Sequence, residues 1–243
     1  MRPSSKTLLW VTIYSIAMGF LETAVVVYLR KLYYPEGFNF PLAPVHNSIA
    51  IVELWRELAT LFMLVAIGIL TGRNRAEKFG YFLYSFAIWD IFYYVFLWVF
   101  LGWPESLFTW DILFLLPVPW VGPVIAPCIV AATMIVFALL VTRFTNQDIP
   151  ASMKRQERWL MWLGALIVIY SFTLDYVQTK GALLWRNITV GNNLFEELND
   201  YVPQEFNWWI FLLGEMLIVF SIYIYWKRLV NSKKEATAQM RFI

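Results

Sequence analysis

The stretch from Ser48 to Leu70 reads SIAIVELWRELATLFMLVAIGIL and combines an apolar run with a charged stripe. Its length matches the roughly 20 apolar residues that an α-helix needs to cross the hydrocarbon core of a bilayer. Four polar residues in its first half share the i, i+3, i+4 and i+7 spacing of one helix face, namely Glu53, Arg56, Glu57 and Thr60. The stretch therefore predicts a membrane-spanning helix whose charged face is turned toward other protein.

The composition extends this prediction to the whole chain. Of the 243 residues, 60% are hydrophobic and only 15% are charged, and the net charge is +2. So few charges do not suit the surface of a water-soluble domain, and so small a net charge does not suit polyanion binding. These values exclude a soluble enzyme, a disordered chain and a nucleic-acid-binding protein. We expect one integral membrane domain over residues 1–243.

Five further apolar stretches have the length of a membrane span. Only helices and closed barrels satisfy their own backbone hydrogen bonds in lipid, and stretches of this length indicate helices. The predicted fold is therefore an all-α polytopic membrane helix bundle with six transmembrane helices. The predicted spans are Leu8–Arg30, Ser48–Leu70, Gly80–Leu101, Val121–Val141, Arg158–Val177 and Phe206–Trp226.

The distribution of basic residues predicts the orientation. With six spans, the two terminal tails and the second and fourth loops share one side of the membrane. This side carries fourteen of the 19 Lys and Arg residues, and the other side carries four. Cytoplasmic segments of membrane proteins are enriched in Lys and Arg, so we predict a cell inner-membrane protein with both termini cytoplasmic. Membrane lipid is its expected surrounding partner.

Two outer connections are long enough to contain structure of their own. In the third loop, Ser106–Leu116 is predicted to form a short interfacial or re-entrant helix that ends before Pro117 and Pro119. The other connection, Lys180–Gln204, is predicted to be an outer loop with a short amphipathic helix at Leu194–Leu198. Both loops could cover a site from the outside.

Carboxylates lie inside several spans, where each is costly unless it is paired, hydrated or protonated. At about 1.5 Å rise per residue, Glu22, Glu57, Asp90 and Glu215 fall about 12 to 18 Å below the outer boundary. Glu53 lies nearer the outer surface. Carboxylates from four spans at one depth predict a shared layer.

Two shorter patterns accompany this layer. Small and polar residues form a stripe on the first span, which predicts close packing against another helix; they are Thr12, Ser15, Gly19 and Glu22. The tripeptide Trp89-Asp90-Ile91 recurs as Trp110-Asp111-Ile112, but its flanks match loosely, so we infer no internal duplication. We interpret Asp111 as a solvated interfacial charge.

The charges of this layer do not balance. Glu22, Glu53, Glu57, Asp90 and Glu215 would carry five negative charges, and Arg56 is the one cation that these spans supply. Either several carboxyls are protonated or the layer holds a divalent metal cation. Arg56 is expected to bridge two carboxylates, one of them Glu53 or Glu57. His46 could complete a metal site from above. A purely structural network of ion pairs remains an alternative.

Three classes of function remain open. The first is a site for protons or a metal cation that serves transport of an ion or small solute. The second is a membrane enzyme acting on a lipid or quinone, in which Glu57, Asp90 and Arg56 are the candidate catalytic residues. The third is an accessory subunit with partner membrane subunits. A bis-histidine haem site is excluded because His46 is the sole histidine.

Overall fold

The computed structural model describes residues 3–44, 46–190 and 201–239, and six α-helices form most of this part of the chain. All six helices are long and apolar enough to cross a membrane, so the chain is a multi-pass membrane protein. The helices and strands of the described residues are α1 (Pro3–Tyr33), α2 (Asn47–Thr71), α3 (Arg75–Leu101), β1 (Trp110–Phe114), β2 (Trp120–Pro123), α4 (Ile125–Thr145), α5 (Arg155–Val190) and α6 (Trp208–Gln239).

The predicted spans lie within these helices except at the starts of the fourth and sixth. The fourth helix begins at Ile125 rather than Val121, because the residues before it belong to β2. The sixth helix begins at Trp208 rather than Phe206. The side chain of Asn207 caps its start, because its Oδ1 accepts a hydrogen bond from the amide of Ile210 at 3.2 Å.

The fifth helix is longer than the predicted span, which changes the loop that follows it. The predicted loop from Lys180 is wrong at its start, because α5 continues to Val190. Residues 178–190 contain no proline, and the single glycine there costs a helix only about 1 kcal/mol. The predicted amphipathic helix at Leu194–Leu198 lies outside the described residues.

The connection between α3 and α4 is a β-hairpin, so the predicted short helix over Ser106–Leu116 is wrong. β1 pairs with β2 in antiparallel orientation, with Asp111 opposite Gly122. The sequence WDILF of β1 is aromatic and β-branched, which suits a strand. Pro117 and Pro119 follow it and lack the amide hydrogens that would continue a helix. The hairpin thus replaces a helix at this end of the molecule.

The small-residue stripe of α1 packs closely against α3, as the sequence predicts. The hydroxyls of Ser15 and Ser85 hydrogen-bond at 2.8 Å. A Cβ added at Gly19 would lie 3.0 Å from the carbonyl oxygen of Trp89, so a larger residue would require α1 and α3 to shift by a few tenths of an ångström. Close backbone contact of this kind stabilises helix pairs in lipid, where no hydrophobic driving force acts between helices.

The helices form two groups that meet at α4 and β2. α3 contacts α1, α2 and α4, and α5 packs along α6. α4 contacts α6, and β2 contacts α5, which joins the two groups. We call the end at which α1 begins and α6 ends the terminal end. The opposite end, at which the hairpin joins α3 to α4, is the hairpin end.

Candidate functional site

A cavity of about 220 Å³ lies near the hairpin end between α1, α2, α3 and β1. We call it the polar cavity, because five carboxylates and two guanidinium groups line it. These are Glu22, Glu53, Glu57, Asp90 and Asp111 with Arg30 and Arg56. The structure therefore brings four of the five predicted acids of the layer together with Arg56, and adds an ion pair that the sequence analysis had not placed there.

Arg56 joins α1 to α2 inside this cavity. Its Nε and Nη2 donate to Oε2 of Glu53 at 2.9 and 2.7 Å. Its Nη1 donates to Glu22 of α1, and the hydroxyl of Thr60 donates to the other oxygen of Glu22 at 3.1 Å. The prediction that Arg56 bridges two carboxylates, one of them Glu53, is confirmed. Glu22 and Glu53 therefore share one fixed cation, which offsets one of their two negative charges.

Glu57 has a different role from the one predicted. Its two carboxylate oxygens accept hydrogen bonds from the backbone amides of Leu115 and Leu116, at 2.9 and 3.1 Å. These amides follow β1, so Glu57 fastens the end of that strand to α2. The side chain is only 7% exposed. Glu57 therefore positions the hairpin over the cavity, and Arg56 does not hydrogen-bond to it among the described contacts.

Arg30 and Asp111 form a buried ion pair between α1 and β1. Arg30 Nη2 lies 3.4 Å from Asp111 Oδ1, and the Tyr94 hydroxyl donates to Asp111 Oδ2 at 3.2 Å. The guanidinium carbon of Arg30 lies 3.7 Å from the ring centre of Trp103 and 4.2 Å from that of Phe38. Aromatic faces attract a guanidinium, so these rings help to hold the charge away from water.

This pair corrects the interpretation of Asp111 as a solvated charge. Asp111 is 2% exposed, and burial raises the pKa of its carboxyl to about 6 although Arg30 and the Tyr94 hydroxyl both oppose the shift. It also corrects the charge inventory, because Arg56 is not the sole cation among the buried acids. The hairpin carries Asp111 inward because β1 occupies the position predicted for a surface helix.

Asp90 differs from the other four acids of the polar cavity. It has no hydrogen-bond partner among the described residues, and it lines a second cavity as well as the polar one. Leu113 and Phe114 of β1 also line both cavities. Asp90 therefore stands where the two cavities meet, with a carboxyl that no fixed donor in the described part of the chain satisfies.

The charges of the polar cavity remain unbalanced after the correction. If every group were ionised, five carboxylates would face two guanidinium groups, an excess of three negative charges. Buried charges of one sign are unstable unless protons or another cation neutralise them. Arg30 offsets Asp111, and Arg56 offsets one charge of the Glu22 and Glu53 pair. The remaining excess therefore consists of Asp90, Glu57 and one charge that Glu22 and Glu53 share.

Two predicted ligands lie elsewhere. Glu215 does not line the polar cavity; it accepts a hydrogen bond from Thr133 and lines the second cavity. His46 is exposed and caps the start of α2, where its Nδ1 accepts from the amide of Ser48 at 3.4 Å. In the described ranges, no three His, Cys, Asp or Glu side chains are grouped so that they could hold a metal ion. The predicted ligands thus do not form one metal centre there.

The sequence contained one signal for the residue that was missed on the hairpin. Asp90 and Asp111 are the acids of the two Trp-Asp-Ile tripeptides, and both line the polar cavity. Arg30 gave no comparable signal, because the rings of Phe38 and Trp103 that flank it come from separate connections. Only tertiary packing identifies Arg30 as part of the site.

Comparisons with known proteins return no match to a family model, to a curated protein or to a solved structure. The functional interpretation therefore depends on the geometry and chemistry of the cavities. Two features carry this interpretation. The first is the set of ion pairs that Arg30 and Arg56 make with acids of the polar cavity. The second is the carboxyl of Asp90, which lines both cavities and has no hydrogen-bond partner among the described residues.

Proposed function

We propose that this chain is an inner-membrane protein with both termini in the cytoplasm, and that it transports an ion or small solute by binding protons or a cation in the polar cavity. The observation that carries the proposal is the excess of carboxylates over guanidinium groups in that cavity. Ionisable residues placed inside a membrane protein are costly and mark ion or proton pathways. On this orientation the polar cavity faces the outer side.

The position of Asp90 supports a route across the membrane. The polar cavity extends to the hairpin end, where Tyr33 and Tyr34 line it, and the second cavity extends to Arg75 and Arg158 at the terminal end. Asp90 lines both. A carboxyl between two cavities that reach opposite ends can accept a proton or cation from one and release it to the other.

The contacts divide the roles of the acids. Arg56 fixes the side chains of Glu22 and Glu53 by ion pairs. Glu57 positions the hairpin by accepting hydrogen bonds from two of its backbone amides. Asp90 has no such restraint among the described residues, so it is the proposed carrier. The absence of a three-ligand group in the described ranges favours protons or a singly charged cation over a divalent metal.

A second candidate function is a membrane enzyme that acts on a lipid or quinone. One observation favours it: the second cavity has a volume of about 680 Å³ and is mostly apolar, and Asp90 reaches into it. In that case Asp90 would be the general acid or base for an apolar substrate, and Arg56 would act only through Glu22 and Glu53.

Proton flux into liposomes containing the purified protein tests the proposal. A pH-sensitive dye inside the vesicles reports acidification when a potassium gradient with valinomycin makes the interior negative. We expect flux from the wild-type protein and a loss of about 10-fold or more in Asp90→Asn, because the amide cannot take up a proton. Glu105→Gln is the matched control, since Glu105 is an exposed carboxyl at the hairpin end that lines neither cavity.

Two results would contradict the proposal. One is equal flux from the wild-type protein and Asp90→Asn. The other is absence of proton flux together with absence of Na⁺ or K⁺ flux, measured in the same vesicles with ion-selective dyes. Stoichiometric Mg²⁺, Mn²⁺ or Zn²⁺ in the purified protein, by element analysis, would refute the preference for protons over a divalent metal.

A further inference from the structure

The second cavity has a volume of about 680 Å³. Its walls come from α3, α4, α5 and α6, and β1 and β2 cover its inner end. Most of its lining is aromatic or aliphatic, with Phe79, Phe82, Phe86, Phe137 and Phe172 among the residues. We call it the apolar cavity. Its size falls within the roughly 300–1,000 Å³ of typical small-molecule sites.

The apolar cavity reaches the lipid-facing surface on α5. Trp162 lines the cavity and is also 60% exposed, so its ring stands at an opening between the helices. Arg75 and Asp90, which both line the cavity, are fifteen positions apart on α3, a distance of about 22 Å along a helix. The cavity is thus long enough to hold an extended lipid chain that enters from the membrane.

The mouth at the terminal end is positively charged. Arg75 and Arg158 line it, both are exposed, and neither side chain has an ion-pair or hydrogen-bond partner in the described part of the chain. Arg73 and Arg228 at the same end differ, because each is paired with a glutamate at 2.6 to 2.9 Å. Arg75 and Arg158 also lie in the first turns of α3 and α5, where the helix dipole favours an anion.

The inner end of the cavity has polar atoms that the protein leaves unsatisfied. Oε2 of Glu215 and Nε1 of Trp120 are buried and have no hydrogen-bond partner among the described residues. Glu215 is 6% exposed, and both side chains line the cavity. A buried polar atom without a partner is costly, so a ligand group that donates to Glu215 Oε2 or accepts from Trp120 Nε1 would be stabilised.

We infer that the apolar cavity binds a single anionic amphiphile from the membrane leaflet at the terminal end. Its phosphate or carboxylate headgroup contacts Arg75 and Arg158, and its apolar chain extends along the phenylalanine rings. Guanidinium groups bind such oxyanions with paired hydrogen bonds, which selects an anionic headgroup over a neutral or cationic one. The amphiphile would occupy the part of the proposed ion route between Asp90 and the terminal end, so the two proposals describe different occupancies of the apolar cavity. The inference does not depend on ion transport.

Native mass spectrometry of the protein in a neutral detergent tests this site with hexadecyl phosphate as the probe. We expect one molecule bound, and binding about 10-fold weaker for hexadecanol and for hexadecyltrimethylammonium, a difference of about 1.4 kcal/mol. The Arg75→Gln/Arg158→Gln double variant should lose this preference. The control is Arg143→Gln/Arg155→Gln, since both of those arginines are exposed and do not line the cavity.

A second variant tests the chain-binding part. Ala165→Trp places a bulky ring in the cavity from α5 and should weaken hexadecyl phosphate about 10-fold or more, with unchanged helical circular dichroism. Three results would overturn the inference: equal binding of hexadecyl phosphate and hexadecanol, unchanged binding in Ala165→Trp, or inorganic phosphate binding as tightly as hexadecyl phosphate. The last would show a headgroup site without a lipid chain.

Discussion

Arg30 and Asp111 are 81 positions apart in the sequence, and their side chains meet at 3.4 Å between Nη2 and Oδ1. The pair ties α1 to β1 and so fixes the hairpin against the helices that line the polar cavity. Both side chains are almost fully buried, at 8% and 3% exposure. Because a buried ion pair loses much of its hydration, removing one partner has a larger effect than removing both.

Arg30→Gln should lower the free energy of unfolding at pH 8 by about 3 kcal/mol, because the ionised carboxyl of Asp111 loses the guanidinium that pairs with it. The carboxylate of Asp111 would then remain buried without a positive charge bound to it. Unfolding with dodecyl sulfate in mixed micelles measures the change. The Arg30→Gln/Asp111→Asn double variant should lose less than the sum of the two single variants. Additive losses would show that the pair is not coupled.

The stability of the protein should depend on pH through Asp111. Its folded-state pKa of about 6 lies above the ordinary value of 3.8, so the folded state binds the proton more tightly than the unfolded state. This contribution is fully present below about pH 4 and decreases by up to roughly 3 kcal/mol as the pH rises to about 6. The groups facing Asp111 are Arg30 of α1 and Asp90 and Tyr94 of α3.

Asp111→Asn provides the measurement for this pH dependence. The difference in unfolding free energy between the wild-type protein and Asp111→Asn should change between about pH 4 and pH 6.5 and then remain constant. Taking this difference at each pH cancels the contributions of the titratable groups that the two proteins share. A constant difference over this range would contradict a raised pKa at Asp111.

Glu57→Gln should loosen the hairpin without preventing membrane insertion. An amide offers one acceptor oxygen in place of two, so one of the backbone bonds from Leu115 and Leu116 is lost, at about 1 kcal/mol. Hydrogen exchange followed by mass spectrometry should show faster exchange in peptides that cover residues 110–120. Glu53→Gln, which leaves these two bonds intact, should not show it. Equal exchange in both variants would refute the positioning role of Glu57.

Gly164→Ala should destabilise the contact between α5 and α6 by about 1–3 kcal/mol. A Cβ at this position would lie 2.7 Å from the carbonyl oxygen of Gly214, so the two helices must move apart. Unfolding in mixed micelles measures the loss. Leu163→Ala, at the neighbouring position, is 51% exposed and should have a much smaller effect. A neutral Gly164→Ala would show that the helices do not need this close approach.

The local parts of the candidate site were predictable because they repeat with the period of a helix. Glu53, Arg56 and Thr60 are one stripe on α2, and this stripe binds Glu22 of α1. Depth along the helices also predicted that Asp90 lies near this stripe, and Asp90 lines the polar cavity together with it. The same prediction failed for Glu215, because depth along a helix does not say which face the side chain occupies or which neighbour that face meets.

The segment between α3 and α4 shows a different reason for failure. Its apolar and acidic residues suit an interfacial helix as well as a strand, and local sequence cannot choose between them. The choice depends on β2, which lies beyond two prolines, and on Glu57, which is far away in the chain and binds the amides after β1. Partners from distant parts of the chain therefore determined this element.

Composition and hydropathy were enough to predict six helices long and apolar enough to cross a membrane, because an α-helix satisfies its own backbone hydrogen bonds in lipid. The sequence also determined that buried acids outnumber the cations beside them. The tertiary structure alone decided which acids share a cavity, since that depends on helix rotation and on the hairpin that brings Asp111 to Arg30. It also decided that Asp90 lies between two cavities, a position set by contacts among α3, the hairpin and their neighbours.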